Sequence, residues 1–150
     1  MYTRTGKIIN APKEWKAKLP KMALDGELWS GRDDFQNIVS IVRHKTPEPD
    51  RWTKIHFMIF DAPLLKATFI ERLKLIGKEL DKSPNNTVKT IKQQVCKNKD
   101  HLEKLMDEIT GGKGEGVMIK DPKSDYHRKR SYSLLKVKRF EDAEATVVGH

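Results

Sequence analysis

From Lys54 to Asp61 the chain reads Lys-Ile-His-Phe-Met-Ile-Phe-Asp, and no other stretch constrains the fold as strongly. Side chains of a strand alternate between faces, so Ile55, Phe57 and Ile59 share one side and His56, Met58 and Phe60 the other. Apolar groups on both sides predict a strand buried on both faces, and such a strand needs packed layers above and below it.

The remaining segments supply candidates for those layers. Lys7 to Ile9 reads as a short strand that ends at Asn10-Ala11-Pro12, and Ala23 to Trp29 as a second strand. Phe35, Ile38, Val39 and Val42 recur at helical spacing behind Asp33 or Asp34 as an N-cap, and the helix stops where Pro47 and Pro49 forbid continuation. Thr68 with Glu71 forms a capping box ahead of a stripe of Phe69, Leu73, Ile76 and Leu80. Asp100 with Glu103 repeats the device ahead of Leu102, Leu105, Met106 and Ile109, and Gly111-Gly112 ends that helix. Asp81 to Lys99 is polar and reads as a loop with a weak strand over 87–95. Three strand-like segments close the chain, Gly116 to Lys120, Leu134 to Lys138 and Ala145 to Val148. The expected class is α+β, one domain over 1–150, with mostly antiparallel sheet and helices outside it.

Composition narrows the partners. Lys and Arg number 30 against 21 Asp and Glu, a net charge of +9, which attracts polyanions and puts nucleic acid first among them. A solvated basic surface is the plainer reading of the same charge. Cys96 is the single cysteine, so an intrachain disulfide and a cysteine zinc cluster are both excluded. No apolar run approaches the ~20 residues of a membrane span, and the first residues read as neither secretory signal nor transit peptide. An intracellular setting is expected, with cytoplasm, nucleus and organelle left open.

Several residues suit phosphate and nucleotide chemistry. Lys136 and Lys138 fall on one face of a strand, where both ammonium groups can converge on an anion, although two such lysines more often form a solvated face. Asp25 and Glu27 also share a face, and a carboxylate beside Gly26 can reach a hydroxyl or a metal ion. The commoner role for Gly26 is a turn. Glu115 lies between Gly114 and Gly116 at the start of a strand, where backbone can approach a ligand closely. Phe60 can stack on a base, though an aromatic in an apolar strand is usually core. Arg4 and Arg130 are candidate phosphate or ribose contacts, and the run Tyr126-His127-Arg128-Lys129-Arg130 can equally be plain surface.

In combination these segments carry a resemblance. From about Met1 to His150 the chain resembles the nucleotidyltransferase (adenylation) domain of ATP-dependent DNA ligases, an ATP-grasp-like covalent nucleotidyltransferase fold. Asp25-Gly26-Glu27-Leu28-Trp29 is similar to the family's motif III and Phe57-Met58-Ile59-Phe60-Asp61 to motif IIIa. Glu115-Gly116-Val117-Met118-Ile119-Lys120 is similar to motif IV, and Leu135-Lys136-Val137-Lys138 to motif V, all in the family's order. The resemblance implies that Phe60 stacks on adenine, Glu27 binds ribose, and Lys136 and Lys138 contact the α-phosphate. It implies that Glu115, with Glu27, places Mg2+ or Mn2+, and that Arg4 and Arg130 hold ribose or phosphate. It further implies ATP as cofactor, a lysyl-AMP intermediate, nicked double-stranded DNA as partner, and a setting in DNA replication, repair or recombination.

The family's Lys-x-Asp-Gly, which carries the nucleophilic lysine, does not occur in these 150 residues. Lys21 stands at the wrong spacing from Asp25, and Lys7 follows the family arginine instead of preceding it. The expectation is a partial adenylation domain whose parent carries an N-terminal segment with the nucleophile and a C-terminal OB-fold domain. Asp121, where relatives often carry an uncharged or basic residue, puts a negative charge near the implied phosphate site. Two other classes fit the residues: an RNA ligase or capping-type nucleotidyltransferase fragment, and a noncatalytic basic nucleic-acid-binding module. Trp29 and Asp142-Ala143-Glu144-Ala145 favour the DNA ligase.

Overall fold

The computed structural model describes residues 1–140, 144–146 and 148–149. In chain order the elements are α1 (Lys13–Lys16), β1 (Asp25–Trp29), α2 (Phe35–Val42), α3 (Pro49–Trp52), β2 (His56–Asp61), α4 (Phe69–Asp81), β3 (Val88–Thr90), α5 (Lys99–Gly111), β4 (Val117–Lys120) and β5 (Leu134–Val137). The class is α+β, as expected. The strand expected over 145–148 includes Val147, which, like the Asp142-Ala143 pair of the tail, lies outside the described residues. Ala145, Thr146 and Val148 carry no regular structure.

The octad forms the central strand of the larger sheet. β2 pairs antiparallel with β1, Glu27 opposite Met58 and Trp29 opposite His56, and parallel with β3, Phe57 opposite Val88. The parallel pairing departs from a uniformly antiparallel expectation, and it follows from α4, which carries the chain back across the sheet between β2 and β3. Burial on both faces does not hold either. Ile59 and Asp61 are buried, whereas Phe60 is 36 % exposed and His56 and Met58 are partly exposed. The octad's apolar character on its second face is therefore that of an open surface.

The covered face builds the core. Ile59, Ala62, Ile76 and Val88 pack between the sheet and α4. A second cluster joins Ala11, Trp15, Ile41, Trp52 and Ile55, with Trp15 edge-on to Trp52 at 4.9 Å and the Trp15 indole N–H donating to the Ile55 carbonyl at 3.0 Å. In α2 the buried residue is Ile41, and Phe35 is exposed, so the stripe is rotated from the predicted one. Asp34 precedes α2 without capping it: its carboxylate accepts from Ser30 Oγ and Asn37 Nδ2, and the serine bond above all holds it below its ordinary pKa.

Helix starts are legible only in part. The Glu71 carboxylate accepts from the Thr68 amide at 2.9 Å, as the capping box predicts, and also from the Thr68 hydroxyl at 2.6 Å. The cap of α5, by contrast, is Asn98, whose Oδ1 accepts from the His101 amide at 2.8 Å; Asp100 lies inside the first turn. Lys7 to Ile9 is one arm of a tight ribbon bridged at Tyr2 and Ile8, with Arg4 in its turn and Gly6 at φ +81°.

β4 and β5 form a separate antiparallel hairpin, Met118 opposite Lys136 and Lys120 opposite Leu134. Among the described residues there are thus two sheets, with Glu27 and Phe60 on the larger one and Lys136 on the hairpin, while Arg4 and Arg130 lie in connecting segments.

Candidate nucleotide site

On the larger sheet, Glu27 and Phe60 lie on the open face. Glu27 is opposite Met58, and strand alternation sets Phe60 on the same side, with Trp29 and His56 neighbours at 6.3 Å between rings. Gly26 is not in a turn. It lies inside β1, where a Cβ would come within 2.7 Å of the Met58 carbonyl and the Phe57 ring, so only glycine allows the strand this close.

On the hairpin, Lys136 Nζ donates to the Glu115 carboxylate at 2.7 Å, joining two of the predicted residues. Gly116 makes this possible: at φ +149° its missing Cβ leaves room for the Val137 carbonyl of β5. The Glu115 carboxyl is held below the ordinary glutamate value by the Lys136 hydrogen bond first, then by the charges of Lys136 and Lys138. Both lysines thus act on one carboxylate, although the strand ends at Val137 and Lys138 Nζ lies 4.9 Å from the Phe140 ring centroid. The pair is exposed, Glu115 by 83 % and Lys136 by 52 %, so water screens it.

Arg4 and Arg130 behave differently. Arg4 lines an open cleft of about 580 Å³ bounded also by Leu28, Ile38, Val42 and Phe57. Glu27 borders this cleft, but alternation turns its side chain to the other face of β1. Arg130 is exposed in the irregular segment between β4 and β5 and makes no side-chain hydrogen bond or ion pair among the described residues. No described interaction joins Arg4, Glu27 or Phe60 to Glu115 or Lys136.

The two sheets meet through polar groups that sequence reading missed. Arg72 of α4 is fully buried; its Nε donates to Asp61 Oδ1 at 2.6 Å and its Nη2 to Oδ2 at 2.9 Å. Its Nη1 donates to the carbonyls of Ala67 and Ser124. The first amides of α4, Phe69 and Ile70, donate to the Ser124 and Pro122 carbonyls at 2.9 and 3.0 Å. Lys120 Nζ lies 4.0 Å from Asp61 Oδ2 and 5.4 Å from the Phe69 ring centroid. The Tyr126 hydroxyl donates to Asp25 Oδ2 at 2.7 Å, and burial first, then that bond and the Asp25 charge, push its pKa up to about 12. Asp121 builds the turn after β4: its Oδ1 accepts from the Lys123 amide at 2.9 Å and its carbonyl from Ser124 Oγ at 2.7 Å. A second, exposed tie joins the β1–α2 turn to the α5–β4 turn, through Arg32 on the Gly112 carbonyl and Lys113 on Asp33 at 3.0 Å.

Among the described residues no group of three or more His, Cys, Asp or Glu side chains could hold a metal ion. A small hard cation needs only one or two protein carboxylates when phosphates and water complete its shell, and Glu115 fits that lesser part. No helix among the described residues is long and apolar enough to cross a membrane.

The family described as ATP dependent DNA ligase domain matches residues 1–138. The chain belongs to that family. A DNA ligase of Haemophilus influenzae is 33 % identical over all 150 residues, which cover 55 % of that protein. A DNA ligase of Archaeoglobus fulgidus is 32 % identical over 89 % of the chain and 26 % of its own length. Among solved structures, one from a structure-function study of Lig E DNA ligases superposes with a TM-score of 0.87 at 38 % identity, over 93 % of this chain and 55 % of that one. A Chlorella virus DNA ligase-adenylate superposes at 0.77 with 27 % identity, over 95 % and 56 %. The chain thus spans about half, or less, of the relatives it matches.

Proposed function

We propose that residues 1–150 are a partial adenylation domain of an ATP-dependent DNA ligase, and that the two sheets hold adenosine nucleotide between them. The observation that carries this reading is the Lys136–Glu115 pair, a cation and a carboxylate from two motif segments joined at 2.7 Å on the face of a hairpin. In the reading, Phe60 stacks on adenine, Glu27 takes the ribose hydroxyls, and Lys136 and Lys138 neutralise the α-phosphate. Glu115, with Glu27 as a second carboxylate, would hold Mg2+ or Mn2+, and the ion would neutralise phosphate charge. Arg4 and Arg130 contact ribose or DNA phosphate. The partner is nicked duplex DNA, and nick sealing by a whole ligase would serve replication, repair or recombination.

Covalent adenylation needs a nucleophilic lysine, and pocket residues do not replace it. Since the chain holds no Lys-x-Asp-Gly, the reading gives it nucleotide and DNA binding without self-adenylation. Intact-protein mass spectrometry after incubation with ATP and magnesium tests this directly. An unchanged mass is expected; an added AMP would assign a nucleophile to one of this chain's own lysines and overturn the division of labour. A noncatalytic basic module is the second reading, favoured by the net charge of +9. Its DNA affinity would fall steeply with salt and ignore both ATP and nicks.

A further inference from the structure

We infer that Tyr126 is a positioning residue: by donating to Asp25 and packing on Arg72, it sets the angle between the two sheets that carry the candidate nucleotide ligands. The inference rests on the proposed nucleotide site and says how its two halves are kept in register.

The contacts point to one joint. Asp25 begins β1, two residues before Glu27, and Asp61 ends β2, directly after Phe60. Tyr126 lies between β4 and β5, with its ring centroid 5.9 Å from the Arg72 guanidinium carbon and its hydroxyl on Asp25. Arg72 in turn grips Asp61 with two nitrogens and the Ser124 carbonyl with a third. Each predicted ligand on the larger sheet is therefore within two residues of the joint, whereas those on the hairpin stand farther away. At about 3.3 Å of rise per residue, Glu115 is roughly 16 Å from Lys120, so a tilt of ~10° at the joint carries it roughly 3 Å. A displacement of that size separates a carboxylate or ammonium group from a phosphate it should bind. The hydroxyl of Tyr126 has one described partner, the half-buried Asp25 carboxylate, so its removal takes one hydrogen bond from the joint, whereas an Arg72 substitution strands the buried Asp61 charge.

Tyr126→Phe tests the role. In a Cys96→Ser background, nitroxides at Lys89→Cys on β3 and Lys104→Cys on α5, which packs beside β4, report the distance between the two halves. The measurement is made at about 1 M salt, where screening within about 3 Å weakens the exposed Asp33–Lys113 tie. ATP affinity is measured separately by calorimetry at ordinary salt. Tyr126→Phe is expected to widen the distance distribution and to raise the ATP dissociation constant about fivefold, the scale of one hydrogen bond. The melting temperature should fall by only about 4 °C or less. An unchanged distribution overturns the inference, and so does a wider one with unchanged ATP affinity. If the unsubstituted chain takes no ATP, the functional reading fails by itself, and the distance distribution alone decides whether Tyr126 sets the angle.

Discussion

Single residues here act mainly through what they leave out or pair with. Gly26 and Gly116 lie where backbone or ring occupies the space of a Cβ, and each brings a neighbouring carboxylate to its place. The Glu115 carboxyl, depressed by Lys136 and Lys138, stays ionised as pH falls until below the ordinary glutamate range, and the pair with Lys136 is lost only then. A carboxyl-detected NMR titration should show that low midpoint, and Lys136→Ala should move it upward; an unmoved midpoint would remove Lys136 as the cause. Arg72 makes a larger prediction. Arg72→Met strands the buried Asp61 charge and should cost about 3–5 kcal/mol, whereas adding Asp61→Leu should recover a large part of it. Urea unfolding of the three variants measures both. The buried pair was legible in principle, since Arg72 lies on the helical stripe between Phe69 and Ile76, and an arginine on an apolar stripe asks for a carboxylate.

Elements were legible where local chemistry decides them. The capping box at Thr68 and Glu71 and the glycine stop after α5 need only neighbours in sequence, and both stand as predicted. The start of α5 shows the limit. Asp100 and Glu103 mimic a capping box, yet Asn98, two residues earlier, holds the extended conformation a cap requires. Asn98→Ala should therefore destabilise by about 1 kcal/mol and Asp100→Ala by less, measured by thermal unfolding; the reverse order would return the cap to Asp100. The face of β2 was misjudged for a different reason. Apolar residues on both sides look the same whether protein or a ligand covers the second side, and only tertiary packing leaves Phe60 exposed.

At the scale of the whole molecule, the motif segments marked which strands matter but not how far apart they lie. The antiparallel pairing of β4 with β5, which brings Lys136 to Glu115, is a finding of the structure that spacing in sequence did not reach. Nor could it reveal that the larger sheet meets the segment between β4 and β5 through Arg72 on the Ser124 carbonyl and Tyr126 on Asp25, because those partners are separated by 52 and 101 residues. The charge of +9 predicts DNA binding that weakens with salt, and a fluorescence titration over salt concentration should give a negative slope. A dependence on nicks or on ATP in that titration would separate a ligase domain from a basic module. The central claim is that adenosine nucleotide binds between the two sheets with its phosphate on Lys136. Calorimetric titration of the unsubstituted and Lys136→Ala chains with ATP and with GTP tests it most directly. The account predicts measurable ATP binding, weaker GTP binding, and a loss of about tenfold in ATP affinity on Lys136→Ala, the scale of a charge-assisted contact. Equal affinity for GTP, or an ATP affinity untouched by Lys136→Ala, would contradict it.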